Sequence, residues 1–138
     1  MSEAQLDLSE LISDEFILQI AEAMAAKRLK RENPYVFDLI RALAPYLRVS
    51  RRGALDAVYR RRIQMGLPLP KTFDSVVQAS LQYYCRDAAE FLSRGAPPEE
   101  ALFYWPKGRG AGYWALDKDV ARQWAIGRVA EMRKRLQR

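Results

Sequence analysis

The sequence predicts a mainly α protein with one small β-hairpin. Apolar residues return at helical spacing in five separate stretches, each bounded by proline, glycine or a capping residue. Two short aromatic runs flank a glycine-rich loop, the pattern of two strands and a turn. The 138 residues are 49% apolar and 29% charged, a globular balance at the length of one domain. Residues 1–138 therefore read as a single domain without internal repeats or low-complexity stretches.

The first helix is expected over about 13–31. Ser13 stands where a cap belongs, and Asp14 and Glu15 suit the positive helix start. Ile17, Ile20, Ala21 and Met24 form its apolar stripe, and the cations from Lys27 to Arg31 suit its end. Asn33-Pro34 opens the second helix, with Phe37, Ile40, Leu43 and Ala44 inward until Pro45 stops it. Tyr46-Leu47-Arg48-Val49 alternates like a very short strand. Ser50 can cap a third helix over 51–65, with Leu55, Val58, Tyr59 and Ile63 inward. Gly66 stands where a left-handed residue ends a helix, and Leu67-Pro68-Leu69-Pro70 makes a stiff, tight connector.

Thr72 is expected to cap a fourth helix with Phe73, Val77, Leu81 and Tyr84 inward, running through Phe91 toward Gly95. Ala96-Pro97-Pro98 breaks the chain. Leu102-Phe103-Tyr104-Trp105 and Tyr113-Trp114-Ala115-Leu116 are the strand-like runs. Asp117 caps a last helix over 118–137, with Ala121, Ala125, Val129, Met132 and Leu136 on one face.

Composition narrows the chemistry. Without histidine there is no His-dependent triad, no His general base and no His-ligated metal site. One cysteine forms neither an internal disulfide nor a Cys-rich zinc site. We therefore expect no catalytic residues, no cofactor and no metal. Cys85 reads as a buried, inert thiol, because no histidine exists to activate it. The acidic start of the chain is unlike a signal peptide, and no apolar run suffices to span a bilayer. A cytoplasmic protein is expected.

The formal net charge is +6 and the pI about 9.7, which favours a polyanionic partner. Charge is uneven. Residues 1–26 hold six carboxylates and no Lys or Arg, whereas residues 27–62 hold eleven cations against three carboxylates. The acidic arm can pack against the basic body or keep itself away from DNA. Solvated helix faces are the plainer reading.

Helix, short strand, helix, tight connector, helix and hairpin is the order of a winged helix-turn-helix, with flanking helices at about 13–31 and 118–137. Within it, Phe73, Val77, Leu81-Gln82, Leu102-Phe103-Tyr104 and Trp114-Ala115-Leu116 carry a resemblance to winged-helix modules attached to bacterial restriction endonucleases and related DNA-processing proteins. It spans about residues 34–117 and departs at Gln78, where those modules often have arginine. The resemblance implies a recognition helix at 72–86 in the major groove and a wing at 105–113 on the backbone or minor groove. The expected role is a regulator in a bacterial, nucleoid-associated setting, or, as the resemblance implies, the recognition subunit of a restriction-like defence or mobile-element system. No nuclease motif accompanies the resemblance.

The residues assign roles within that frame. Opposite the apolar face of the fourth helix stand Ser75, Gln78, Ala79 and Gln82. Glutamine pairs with adenine, serine with either base type, and alanine touches the thymine methyl. Lys71 and Thr72 lie at the helix start, where backbone donors also favour phosphate. Lys107 and Arg109 are the wing cations, with Arg51 and Arg52 on the helix that crosses the backbone. Arg60, Arg61 and Arg62 point about 100° apart in succession, so at most two reach one phosphate track. Gly108, Gly110 and Gly112 lack the strand-then-helix setting of a nucleotide loop. Glu99 and Glu100 read as solvated neighbours. Trp105, Tyr113, Trp114 and Trp124 read as packing residues, although the first three also suit stacking on single-stranded bases.

The expected function is double-stranded DNA binding without catalysis. The alternative is a winged-helix adaptor that binds protein, and a third reading is a sequence-indifferent DNA packager. The terminal helices either pack on the same domain or pair two subunits into a dimer.

Overall fold

The structure, a computed structural model, describes residues 15–23 and 35–136. Residues 15–23 form helix α1. Then follow α2 (Tyr35–Leu43), β1 (Val49–Ser50), α3 (Arg51–Gln64), α4 (Phe73–Tyr83), a short α5 (Ala89–Ser93), a 3-10 turn (Pro98–Glu100), β2 (Phe103–Tyr104), β3 (Tyr113–Leu116) and α6 (Lys118–Leu136). The protein is mainly helical with one small antiparallel sheet, in the order β1-β3-β2. Expectations at Ser13, Asp14, Met24, Lys27 to Arg31, Asn33 and Pro34 lie outside the described residues, as do the side chains of Met132 and Leu136.

Helix α2 is the centre of the molecule. Tyr35, Val36, Phe37, Leu39, Ile40 and Leu43 are all buried, so it is covered on nearly every side. Leu18 and Ala21 of α1 and Ala121, Trp124 and Ala125 of α6 belong to the same core. Both terminal helices thus pack on this chain. Arg41 ties α1 down by donating to Glu15 (2.8 Å) and Glu22 (3.0 Å). Burial disfavours the Arg41 charge, but the two carboxylates more than offset this and raise its pKa. In its described part, the acidic segment therefore packs against basic side chains.

Several expectations change in three dimensions. The inward face of α3 is Ala54, Leu55, Val58 and Arg62, while Tyr59 and Ile63 are 47% and 55% exposed. The reason is Asp38, itself 1% exposed, which accepts from Arg62 Nη1 (2.8 Å) and from Arg61 Nη1. Drawing Arg62 inward turns the next residue, Ile63, about 100° away from the core. Arg62 Nε also donates to the Pro68 carbonyl (2.9 Å) and so fastens the connector.

The fourth helix does not continue to Gly95. It stops at Tyr83 because Cys85 bridges Phe103 and joins the sheet edge, and α5 starts anew at Ala89. The expected strand at Tyr46–Val49 is observed as Val49–Ser50, paired with β3. Glu99 and Glu100 lie in the 3-10 turn, and Glu100 pairs with Arg94 (3.6 Å). Gly66 has φ +65°, the left-handed conformation that ends α3 at low steric cost. Asp117 Oδ1 accepts from the Val120 N–H (3.2 Å) and caps α6.

Candidate nucleic-acid interface

Three elements supply the side chains of this face: the start of α3, the outer side of α4 and the β2–β3 loop. Ser50 joins the first to the sheet. Its backbone pairs with Tyr113 of β3, and its Oγ accepts from the Gly53 N–H (3.0 Å) to cap α3. A Cβ at Gly53 would stand 3.0 Å from Val49 and 3.1 Å from Ser50 Oγ, so a side chain there would crowd this cap. The next residue, Arg51, donates its backbone N–H to the Gly112 carbonyl at the base of the loop (3.2 Å). Its Nε donates to Gln78 Oε1 on α4 (2.5 Å). One residue thus touches both the loop and the outer side of α4.

Helix α4 buries Phe73, Val77, Ser80 and Leu81. Tyr84 and Cys85 follow inside the core. The opposite side shows Ser75 and Ala79 exposed, with Gln78 and Gln82 half-buried. Lys71 and Thr72 are exposed at its start. Thr72 occupies the cap position, but its side chain makes no capping hydrogen bond, contrary to the sequence expectation. Its φ of −102° and ψ of 39° lie off the extended geometry that turns a cap oxygen toward the helix.

Arg52 is held differently from Arg51. It donates to Asp56 (3.0 Å) and Asp74 (3.1 Å), and the hydrogen bond to Asp74 raises its pKa above the ordinary arginine value. A groove of about 590 Å³ lies here, lined by Arg52, Asp56, Tyr59, Lys71, Asp74 and Ser75 among others. Two carboxylates beside Arg52 and Lys71 leave this end of the face close to neutral. The net positive charge of the face comes from Arg51 and from the loop.

The β2–β3 register, Phe103 with Leu116 and Tyr104 with Ala115, leaves residues 105–112 as the loop. Gly108, Gly110 and Gly112 have φ between +81° and +84°, which L side chains rarely adopt. Lys107, just before Gly108, and Arg109, between Gly108 and Gly110, are exposed and form no ion pair with any described residue; the same holds for Lys71. Trp114 is buried and packs edge-on against Trp105 (5.7 Å) under the loop. Tyr113 is part-exposed, with Arg48 over its ring (5.1 Å).

Sequence reasoning missed three of these side chains. Arg48 carries only a strand signal in the sequence. Asp56 was legible as the i+4 partner of Arg52. Asp74 meets Arg52 across 22 positions and left no local signal. Of the expected contacts, Arg51 and Gln78 come together, and Ser75 and Lys71 line the groove with Arg52. Lys107 and Arg109 stand apart on the loop, and Gln82 lies farther along α4.

Cys85 is fully buried, and burial pushes its thiol up to about 11, away from thiolate chemistry. Among the described residues, no three or more acidic or cysteine side chains gather as a metal site. No described helix is long and apolar enough to cross a membrane. Comparison with family models, with curated proteins and with solved structures returns no match.

Proposed function

We propose that this chain is a non-catalytic, double-stranded DNA-binding protein of winged helix-turn-helix type. It would serve as a transcription regulator or as the recognition subunit of a restriction-like system in the bacterial cytoplasm. One observation carries the reading. Arg51 bonds to Gly112 at the loop base and to Gln78 on α4, so in this reading one residue links the base of the wing to the recognition helix. In this reading Ser75, Gln78 and Gln82 meet base edges, and Lys71, Lys107 and Arg109 meet phosphate. A homodimer would use the outer sides of the terminal helices, where Phe16 and Ile126 are exposed.

The test is fluorescence anisotropy with random-sequence duplexes, titrated across salt. The wild type binds with a steep salt dependence. Replacing Lys107 and Arg109 together by alanine flattens the log–log slope by about 2, near 0.9 per lost phosphate contact. Absence of binding at low salt overturns the reading.

The adaptor reading draws on the far end of α3. Ile63 and Met65 are exposed there, apolar area suited to a protein partner. Binding of protein without DNA, lost in Ile63→Asp, would favour it.

A further inference from the structure

We infer that Arg51 reads a guanine edge, oriented for that role by Gln78. The inference rests on the DNA-binding reading and reassigns Arg51 from the phosphate contact that its sequence position suggests. Arg51 is exposed, yet it is restrained at two points. Its backbone N–H is held by the Gly112 carbonyl, which sets where the side chain leaves the chain. Its Nε is held by Gln78 Oε1 at 2.5 Å, which sets where the guanidinium lies.

The geometry leaves a particular set of donors. A guanidinium carries five N–H donors in a rigid, planar fork. With Nε engaged, the two Nη groups at the far edge remain as parallel donors. That pair matches O6 and N7 of guanine in the major groove. The same fork fits a phosphate, so the choice turns on the restraint. A phosphate contact needs no such restraint, and Lys107 and Arg109 have none: they are exposed on a glycine-rich loop and form no ion pair with described residues. Base reading requires a fixed cation.

The neighbouring arginine sharpens the contrast. Arg52 lies between Asp56 and Asp74, which orient it but offset its charge. Arg51 is oriented by a neutral amide, and it forms no ion pair among the described residues. It therefore keeps its full charge for an outside acceptor. Gln78 then acts as a positioning residue: its Oε1 is taken by Arg51, and its amide N–H donors are left for a base edge.

The experiment uses the full chain and a duplex selected from a random pool. Each guanine is replaced in turn by 7-deazaguanine, which lacks the N7 acceptor. Wild-type affinity falls about 10-fold at one position, the scale of losing a bidentate contact. Arg51→Ala binds more weakly and loses both that sensitivity and the guanine preference there. Gln78→Ala binds more weakly than wild type and shows a reduced 7-deaza effect at the same position. Arg60→Ala, an exposed cation elsewhere on α3, leaves the preference unchanged. Circular dichroism melts check that each variant is folded.

A uniform loss across all sequences in Arg51→Ala, with a salt slope shallower by about 1, would mark a phosphate contact and overturn the inference alone. Wild-type binding with no position sensitive to 7-deazaguanine overturns it as well. If the wild type binds no duplex, the DNA-binding reading falls and the inference with it.

Discussion

Asp38 lies in α2, buried on nearly every side, and its partners come from α3. Arg62 is nearly as buried, and its guanidinium also stacks over Tyr35 at 4.7 Å. Removing the carboxylate leaves Arg62 charged, buried and short of an acceptor. Asp38→Ala is therefore expected to destabilise the fold by about 3–5 kcal/mol, read as a lower urea midpoint. Two other buried groups set the alkaline limit. Burial pushes the Cys85 thiol from 9.0 up to about 11 and the Tyr84 phenol from 10.0 up to about 12. Above pH 9 the unfolded chain releases protons that the folded chain keeps. Stability is thus full below about pH 9 and falls as pH rises toward 11. Urea midpoints at pH 8 and pH 10.5 test this, and Cys85→Ser should flatten the first part of the decline.

At the scale of elements, α3 and α4 begin in different ways. Ser50 is extended, with φ −67° and ψ 158°, and its hydroxyl caps Gly53. Thr72 has another geometry and no such bond. Ser50→Ala should cost about 1 kcal/mol, whereas Thr72→Ala should cost less than about 0.5 kcal/mol. Equal losses in urea denaturation would contradict the assignment. The apolar inward residues of α4 were legible from period alone: Phe73, Val77 and Leu81 are buried, as is Tyr84 just past its end, whereas the buried Ser80 was not. Its end was not legible. Residues 84–91 keep apolar spacing, but Cys85 bridges Phe103 of the sheet instead of extending the helix, and Ala88 is buried in the core. Local pattern sees periodicity; it does not see a strand arriving from residue 103.

Across the whole molecule, α1, α2, α3, α4, the sheet and α6 share one core. Phe37 of α2 stacks on Trp124 of α6 at 5.5 Å, and Tyr84 reaches the same indole at 6.2 Å. No pair of these elements has a core of its own. Unfolding in urea should therefore be one transition, with far-UV circular dichroism and tryptophan fluorescence coinciding. An earlier change in the environment of Trp124, measured in a variant with Trp105 and Trp114 replaced by phenylalanine, would show α6 to be a separate unit. Cooperativity also bears on the candidate interface. Arg51 depends on β1–β3 pairing behind it and on α4 in front, so disturbing either shifts the proposed contact.

Much of the fold was written into local chemistry. Pro45, Gly66 and Pro97-Pro98 divide the chain, Ser50 and Asp117 start helices, and the glycines of 108–112 permit the loop between β2 and β3. Those features act within a few residues, where steric limits and backbone hydrogen bonds operate, so the element order follows from them. The candidate site was legible as polar side chains on one helix, Lys71 and Thr72 at its start, Arg51 and Arg52 on the helix before it, and two cations on a loop. Folding added the partners. Arg51 finds Gln78 and Arg52 finds Asp74 only when α3 packs on α4, and Asp38 draws Arg62 inward only because α2 lies beneath it. Charge pairing over such separations depends on three-dimensional distance, which no local pattern encodes.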